Sequence, residues 1–361
     1  MQALKIIAGK KAQSIIRDHG GLTADMVRIV LGASGGPKWL ILRGLDDYIF
    51  GDWLVNSNTP KDMLGTSIGA MRMTLASTAD PKQAFNDCIE AYLKFRYDKS
   101  GNADIWTRDM RQFFSQLFHQ GRQQAILNNQ QRRLNIIATR CRGIAGHPTS
   151  QALNILGMVK AYGFNRLSRQ SLAKHFDRII FNAPHSQLPV GGLKDMNMQK
   201  AALSADNMID AIMASGSIPG IWHGIKDIKG APKGMYRDGG ITDYHFANSW
   251  DIDVKDQSHQ IVLYPHFYSH ITPGWFDKRI PSRRMTGKNW DHIVMLCPSD
   301  ELVASLPHGK ITDRKDFTDF SNEERISIWQ QVIGQGYRMA DEFEQLTNDG
   351  ASLIDRMDLP E

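Results

Sequence analysis

Residues Asp62–Met71 read DMLGTSIGAM and set Ser67 at the centre of a G-x-S-x-G pentapeptide. A serine on a tight turn between a strand and a helix presents its hydroxyl at the edge of a sheet, and flanking glycines let the crowded backbone close. The same residues also suit an ordinary Gly-Thr-Ser turn, so the surroundings decide. Upstream, DML is a short apolar run entering the turn; downstream, IGAMRMTLAS leaves it with a helical pattern. That is the strand-turn-helix setting a nucleophile elbow requires.

Similar strand-like runs lie on either side. VRIVLG (Val27–Gly32), RRLNIIATR (Arg132–Arg140), RIIFNAP (Arg178–Pro184), QIVLYPHF (Gln260–Phe267) and HIVMLCP (His292–Pro298) are short and rich in branched apolar residues, as strands buried on both faces are. Helical patterns separate them. PKWLILRGLDDYIF starts with a proline suited to a first helical turn, and SNEERISIWQQVIGQGYRMADEFEQL opens with a capping box of Ser321 and Glu324. Strands alternating with helices predict an α/β fold whose mostly parallel central sheet is covered on both faces. No repeat, low-complexity tract or Pro/Gly/Ser linker interrupts the chain, so residues 1–361 read as one domain. Its motif-bearing core spans about 25–300, a polar helical interval at about 80–131 reads as an insertion or lid, and a helical segment occupies about 318–347.

Composition excludes several classes. With 42% hydrophobic and 22% charged residues the chain has ample material for a buried core. No apolar window approaches the length of a membrane span, and the N-terminus lacks an h-region. Three scattered cysteines fit neither a disulfide framework nor a zinc site, which points to a reducing, cytoplasmic setting. A net charge of +5 spread along the chain argues against a nucleic-acid partner. One segment is denser: GWFDKRIPSRRMTGKNW (Gly274–Trp290) interleaves five cations with Trp275, Phe276 and Trp290. It reads either as a solvated loop with its aromatics tucked inward or as a peripheral contact with an anionic membrane.

A second glycine cluster, LGASGGPKWL (Leu31–Leu40), again lies between a strand and a helix. It matches neither the Walker pattern nor G-x-G-x-x-G. What remains is a pair of unobstructed backbone amides, on Gly35 and Gly36, at a helix N-terminus that attracts negative charge. A third segment, MASGSIPGIWHGIKDIKGAPKGMYRDGGITDYH, places Asp238 before Gly239 and Gly240 at the end of an apolar stretch. A carboxylate there is well placed to act as a base.

Together these segments resemble the patatin-like phospholipase family. Its members carry, in order, a glycine-rich oxyanion segment with a nearby Arg or Lys, a G-x-S-x-G nucleophile, an A-S/T-x-x-x-P segment and a D-G-G/A motif. The counterparts here are GGPK (Gly35–Lys38), GTSIGA (Gly65–Ala70), ASGSIPG (Ala214–Gly220) and DGG (Asp238–Gly240), and the likeness spans roughly Arg28–His245. It implies a three-layer α/β/α fold, Ser67 as nucleophile, Asp238 as its dyad partner, and Gly35 and Gly36 as the oxyanion hole. Lys38, Gly65, Gly69, Gly239 and Gly240 would support them. Two departures bear on substrate choice: the family's run of three glycines appears as Ser34-Gly35-Gly36, and the glycine usual after the basic residue is Trp39.

The implied activity is hydrolysis of a lipid carboxylic ester through an acyl-enzyme, without cofactor or metal. A serine hydroxyl needs a base as its bond to carbon forms, and two easier steps replace one hard displacement. A carboxylate is a weaker base than imidazole, so a dyad depends more on positioning and on oxyanion donors than a triad does. Two alternatives stand beside it. A Ser-Asp-His triad could recruit His245, His185, His223 or His266, and the fold could persist in an inactive membrane-surface or partner-binding protein.

Overall fold

The computed structural model describes residues 2–96, 103–147, 150–250, 252 and 259–360. The strands are β1 (Leu4–Ala8), β2 (Val27–Gly32), β3 (Lys61–Thr66), β4 (Arg132–Cys141), β5 (Phe176–Asn182), β6 (Met198–Ala202), β7 (Ile225–Lys226), β8 (Met235–Arg237), β9 (Ile261–Pro265), β10 (Ile293–Pro298) and β11 (Met357–Asp358). Nine of them form one sheet in the order β11-β1-β10-β9-β2-β3-β4-β5-β6, with β8 on β4 and β7 on β8. The central run from β10 to β4 is parallel throughout. Every residue of β3, β9 and β10 is buried, which requires cover on both faces.

The expected strands are all present, with ends shifted by one or two residues. Two features were not anticipated. The segment LKIIA forms β1, which pairs antiparallel with β10, and β5 runs antiparallel to β4. Lys5 breaks the apolar signal of β1, and strand direction leaves no mark on composition.

The α-helices are α1 (Lys10–Asp18), α2 (Arg43–Tyr48), α3 (Ile68–Ala76), α4 (Pro81–Lys94), α5 (Ala103–Leu117), α6 (Gln120–Asn128), α7 (Gln151–Leu167), α8 (Met208–Gly216), α9 (Asp300–Ser305), α10 (Asp316–Asp319), α11 (Asn322–Asn348) and α12 (Gly350–Asp355). The single helix expected over residues 37–50 is instead a 3-10 turn (Gly36–Leu42), then α2, then a π turn (Ile49–Trp53). α11 starts with the capping box read from the sequence, Ser321 accepting from the Glu324 amide and Glu324 from the Ser321 amide. The interval 80–131 contains α4, α5 and α6; residues 97–102 of it lie outside the described residues. No helix among the described residues is long and apolar enough to cross a membrane.

Candidate active site

Ser67 follows the last residue of β3 and precedes α3, with φ 54° and ψ −127°. A side chain held at positive φ is strained, and the surrounding packing must impose it. Glycines supply that packing. A Cβ on Gly65 would lie 2.3 Å from the Gly69 carbonyl oxygen, and one on Gly69 would lie 1.9 Å from the Gly32 carbonyl oxygen. Only bare backbone lets α3 sit this close to the ends of β2 and β3. The Ser67 amide donates to Ser215 Oγ at 2.8 Å, and Ser215 Oγ donates to the Ile137 carbonyl at 2.6 Å.

Asp238 reaches Ser67 through the register of β4. Along one edge β4 carries β3, ending with Thr66 opposite Ile137; the other edge is taken by β5 from Asn135 to Cys141. β8 therefore takes the β3 edge, running antiparallel with Arg237 opposite Thr139. β3 and β8 point their C-terminal ends at one another, and the residue after each, Ser67 and Asp238, meets the other across the gap. Ser67 Oγ donates to Asp238 Oδ2 at 2.8 Å. The second carboxylate oxygen accepts the Gly240 amide at 2.7 Å, and the Asp238 amide donates to the Ser217 carbonyl at 3.0 Å. Burial raises the Asp238 pKa above the usual aspartate value, although the bonds from Ser67 and Gly240 pull the other way. A raised pKa makes the carboxylate a better proton acceptor.

The segment after β2 closes over the same place. The Ser34 amide donates to the Tyr244 carbonyl, and Ser34 Oγ lies 3.4 Å from the Thr66 carbonyl oxygen. Gly36 has φ +58° and begins the 3-10 turn. Neither the Gly35 nor the Gly36 amide donates to an acceptor among the described residues. A Cβ on Gly35 would strike the Phe267 ring at 2.4 Å, one on Gly239 the Ile137 carbonyl oxygen at 2.3 Å, and one on Gly240 the Ser34 hydroxyl at 2.5 Å. These glycines thus permit the strand ends to converge.

Two cavities meet at Ser67. The first, about 220 Å³, is lined by Met71 and Ile212, by Tyr92 and Phe95 from α4 and its end, and by Met110 and Phe114 of α5. The helical interval therefore forms one apolar wall of it. The second, about 210 Å³, is lined by Lys38, Asp238, Tyr244, Trp275, Lys278 and Arg314. Gly36, Ser67, Ile218 and Arg314 line both. Trp39 lines neither; it is fully buried against Phe85 and Tyr92.

The profile described as patatin-like phospholipase matches residues 58–247, just over half of the chain. The chain belongs to the patatin-like phospholipase family. No curated protein and no solved structure matches it. Membership makes this a protein of a lipid acyl hydrolase family. The matched residues take in Ser67, Ser215 and Asp238, but begin after Gly35, Gly36 and Lys38 and end before Lys278 and Arg314.

The histidines weighed from the sequence lie elsewhere in the hydrogen-bond pattern. His245 Nδ1 accepts the Thr272 amide at 3.1 Å, and the His266 ring bonds to the Tyr268 backbone. Burial, helped by neighbouring cationic groups, holds the His245 pKa well below the usual value and lowers His266 to about 3. His223 faces Asp104 at 2.9 Å, and His185 is exposed. None of these four hydrogen bonds to Ser67 or Asp238. Among the described residues no group of three or more His, Cys, Asp or Glu could hold a metal ion.

Sequence reasoning quoted ASGSIPG without giving its residues work. The structure does: Ser215 holds the Ser67 amide and Ser217 the Asp238 amide. Sequence reasoning also did not single out Arg314, an isolated cation without a motif, and it read Lys278 only as one of the five cations of Gly274–Trp290, not as part of the second cavity. Within Gly274–Trp290, Trp290 is buried with its indole N–H on the Met285 carbonyl. Arg283 pairs with the buried Asp277 at 2.6 Å. The solvated reading of that segment describes Arg279, Arg284 and Lys288, which are exposed.

Proposed function

We propose that the protein hydrolyses lipid carboxylic esters through Ser67 and Asp238, with Gly35 and Gly36 as the oxyanion hole. The 2.8 Å hydrogen bond between Ser67 and Asp238 carries this reading. As Ser67 Oγ attacks the carbonyl carbon, its proton passes to Asp238 Oδ2, and the oxyanion takes the free amides of Gly35 and Gly36. Asp238 then protonates the departing alcohol, leaving an acyl-enzyme whose chain lies in the apolar cavity. Water, deprotonated by the same carboxylate, releases the fatty acid. Release of fatty acid from a panel of acylglycerols and phospholipids tests it; a purely binding protein would hydrolyse none.

The oxyanion segment makes a separate prediction. A Cβ on Gly36 meets nothing within 4 Å, so Gly36→Ala acts through backbone strain and should redirect the amide. Because the donors stabilise charge present only in the transition state, kcat should fall by about 10²- to 10³-fold with KM little changed. An effect on KM alone would mean the segment binds ground-state substrate.

Contact with an anionic bilayer is assigned to α7 together with the exposed arginines of the neighbouring loop. Ile155, Leu156, Val159 and Leu167 of α7 are 47%, 55%, 60% and 83% exposed. The helix contains no acidic residue, and its exposed charges are Lys160 and Arg166. It packs on the 274–290 segment through Asn165, which donates to Asp277 at 2.8 Å, so Arg279 and Arg284 lie on an adjoining part of the chain. An apolar stripe with cations and no anions suits an anionic interface. Replacing Leu156, Val159 and Leu167 with serine should weaken sedimentation with phosphatidylglycerol vesicles severalfold. Undiminished sedimentation, or a wild-type dimer broken by the same changes, would give the face to another role.

A further inference from the structure

We propose that Trp39, acting through Tyr92, limits the acyl chain this site accepts to about eight or nine carbons, so that the preferred substrate is an ester of a medium-chain acid. This inference rests on the ester-hydrolase reading and deepens it on the acyl side.

The apolar cavity at Ser67 has a volume of about 220 Å³. A cavity of about 150 Å³ holds the six carbons of benzene, so this one holds about eight or nine. Its walls are backed by filled core. The buried Cys88 Sγ donates to Met71 Sδ at 3.4 Å, and Phe114 stacks on the fully buried Phe118 with ring centroids 6.2 Å apart. Tyr92 is held by two buried indoles, stacked on Trp329 at 5.8 Å and edge-on to Trp39 at 5.9 Å. In an interior packed this closely, the cavity lengthens at these walls only if one of the side chains gives way.

Trp39 is the residue among them that departs from the family pattern, where a glycine is usual after the basic residue. It lines neither cavity and touches no reacting group. Its indole N–H is buried without an acceptor among the described residues. A buried indole usually finds a partner for that N–H, so what this one contributes is bulk. It fills the space beside the Tyr92 ring and is itself fixed by Phe85, at 6.4 Å between centroids. A glycine at this position would leave an indole-sized void next to Tyr92. Interiors collapse into such voids where a neighbouring group can turn, and a Tyr92 ring that turned into it would add its own space to the acyl cavity. The family segment begins at residue 58, after Trp39, so family membership does not assign it this task.

The test reads how kcat/KM depends on acyl length, using the full-length protein and p-nitrophenyl esters from butanoyl to hexadecanoyl in the same detergent micelles. Each methylene taken into the cavity should raise kcat/KM by about three- to fourfold up to the octanoyl or nonanoyl ester. The gain then stops, so the ratio of dodecanoyl to octanoyl ester should be about one or less. Trp39→Gly and Tyr92→Ala should each raise that ratio by at least about tenfold, whereas Trp39→Phe, which keeps a ring beside Tyr92, should change it by less than about twofold. A loss caused by a disturbed oxyanion segment falls on every chain length alike and cancels in the ratio. A wild-type gain that continues to hexadecanoyl, or a ratio unmoved by Trp39→Gly and Tyr92→Ala, overturns the proposal. If Trp39→Gly does not fold, Trp39→Leu replaces it under the same criterion. In a second arm, octanoate and dodecanoate are titrated by calorimetry into the Ser67→Ala protein, with and without Tyr92→Ala. Octanoate should bind at least as tightly as dodecanoate, and Tyr92→Ala should reverse the order. Tighter binding of dodecanoate before that change, or binding of neither acid, overturns the length limit even if esters are hydrolysed. The expected order without hydrolysis of any ester would sink the enzyme reading while leaving the length limit standing.

Discussion

Ser67→Ala and Asp238→Asn are each expected to lower kcat by about 10⁴-fold or more, and the double variant to be little worse than either, because the two groups act as one unit. The bond between them is the only one Ser67 Oγ makes among the described residues. Removing either partner leaves the Gly35 and Gly36 amides and the cavities in place, so under the proposed mechanism a residual turnover is expected. Burial sets the direction of the pH dependence. The Asp238 pKa is raised in the folded protein, so the acid limb of kcat/KM should lie above the usual aspartate range, with activity lost as pH falls through the raised value. Stability follows the opposite sign. A carboxyl whose folded pKa exceeds its unfolded one destabilises the folded state once pH passes the unfolded value, and protonation relieves this. Asp238→Asn, which keeps an acceptor for the Gly240 amide and removes the charge, should therefore raise Tm by about 1–3 °C while abolishing activity. An Asp238→Asn enzyme that retained most of its turnover, with His245→Ala inactive instead, would replace the dyad by a triad.

The elbow could be read from DMLGTSIGAM because a strand, a glycine-bounded turn and a helix each leave a local signal. The partnership with Asp238 could not be derived locally. Ser67 and Asp238 are 171 residues apart, and what joins them is that β3 and β8 share one edge of β4. β8 has three residues and β7 two, too short for periodicity to reveal. The resemblance to the family supplied the pairing, and the register supplies its physical cause. Ser215 illustrates the same limit: its hydroxyl bridges the Ser67 amide and the Ile137 carbonyl, a relation between three elements that no spacing in the chain encodes. The cations of the second cavity come from residues 38, 278 and 314, and only the first adjoins a recognisable motif. The segment Gly274–Trp290 follows the solvated-loop reading at Trp290, which tucks inward, and at Arg279, Arg284 and Lys288, which are exposed, but its composition does not tell which cation turns inward. Trp290 and Asp277 are buried there, and Arg283 points inward at Asp277. Next to it, α7 turns Ile155, Leu156, Val159, Phe164 and Leu167 outward, and its largely apolar sequence conceals that outer face from pattern reading.

Gly69→Ala should be the most damaging single methyl in the molecule's elbow. The added Cβ would stand 1.9 Å from the Gly32 carbonyl oxygen, 2.2 Å from its carbon and 2.8 Å from the Ala33 amide nitrogen. All are backbone atoms, so no rotamer change relieves the overlap; α3 has to lift from β2. That movement is opposed one turn later by Arg72, whose guanidinium binds Asp46 of α2 through Nε at 3.0 Å and Nη2 at 2.6 Å. Both side chains are fully buried, and burial holds the Asp46 pKa above the usual aspartate value although Arg72 opposes the shift. Breaking such a pair costs about 3–5 kcal/mol. The alternatives are then unfolding or a displaced Ser67, and we expect a loss of at least about 3 kcal/mol of stability. Gly334→Ala in α11 is the matching control. It lies inside a helix with nothing within 4 Å of the added Cβ, and should stabilise by about 0.4–1 kcal/mol by reducing the freedom of the unfolded chain. Denaturant midpoints measure both. A Gly69→Ala protein with an unshifted midpoint and normal ester turnover would mean that α3 tolerates a wider approach to β2, and the glycine contacts would no longer explain the strained backbone at Ser67.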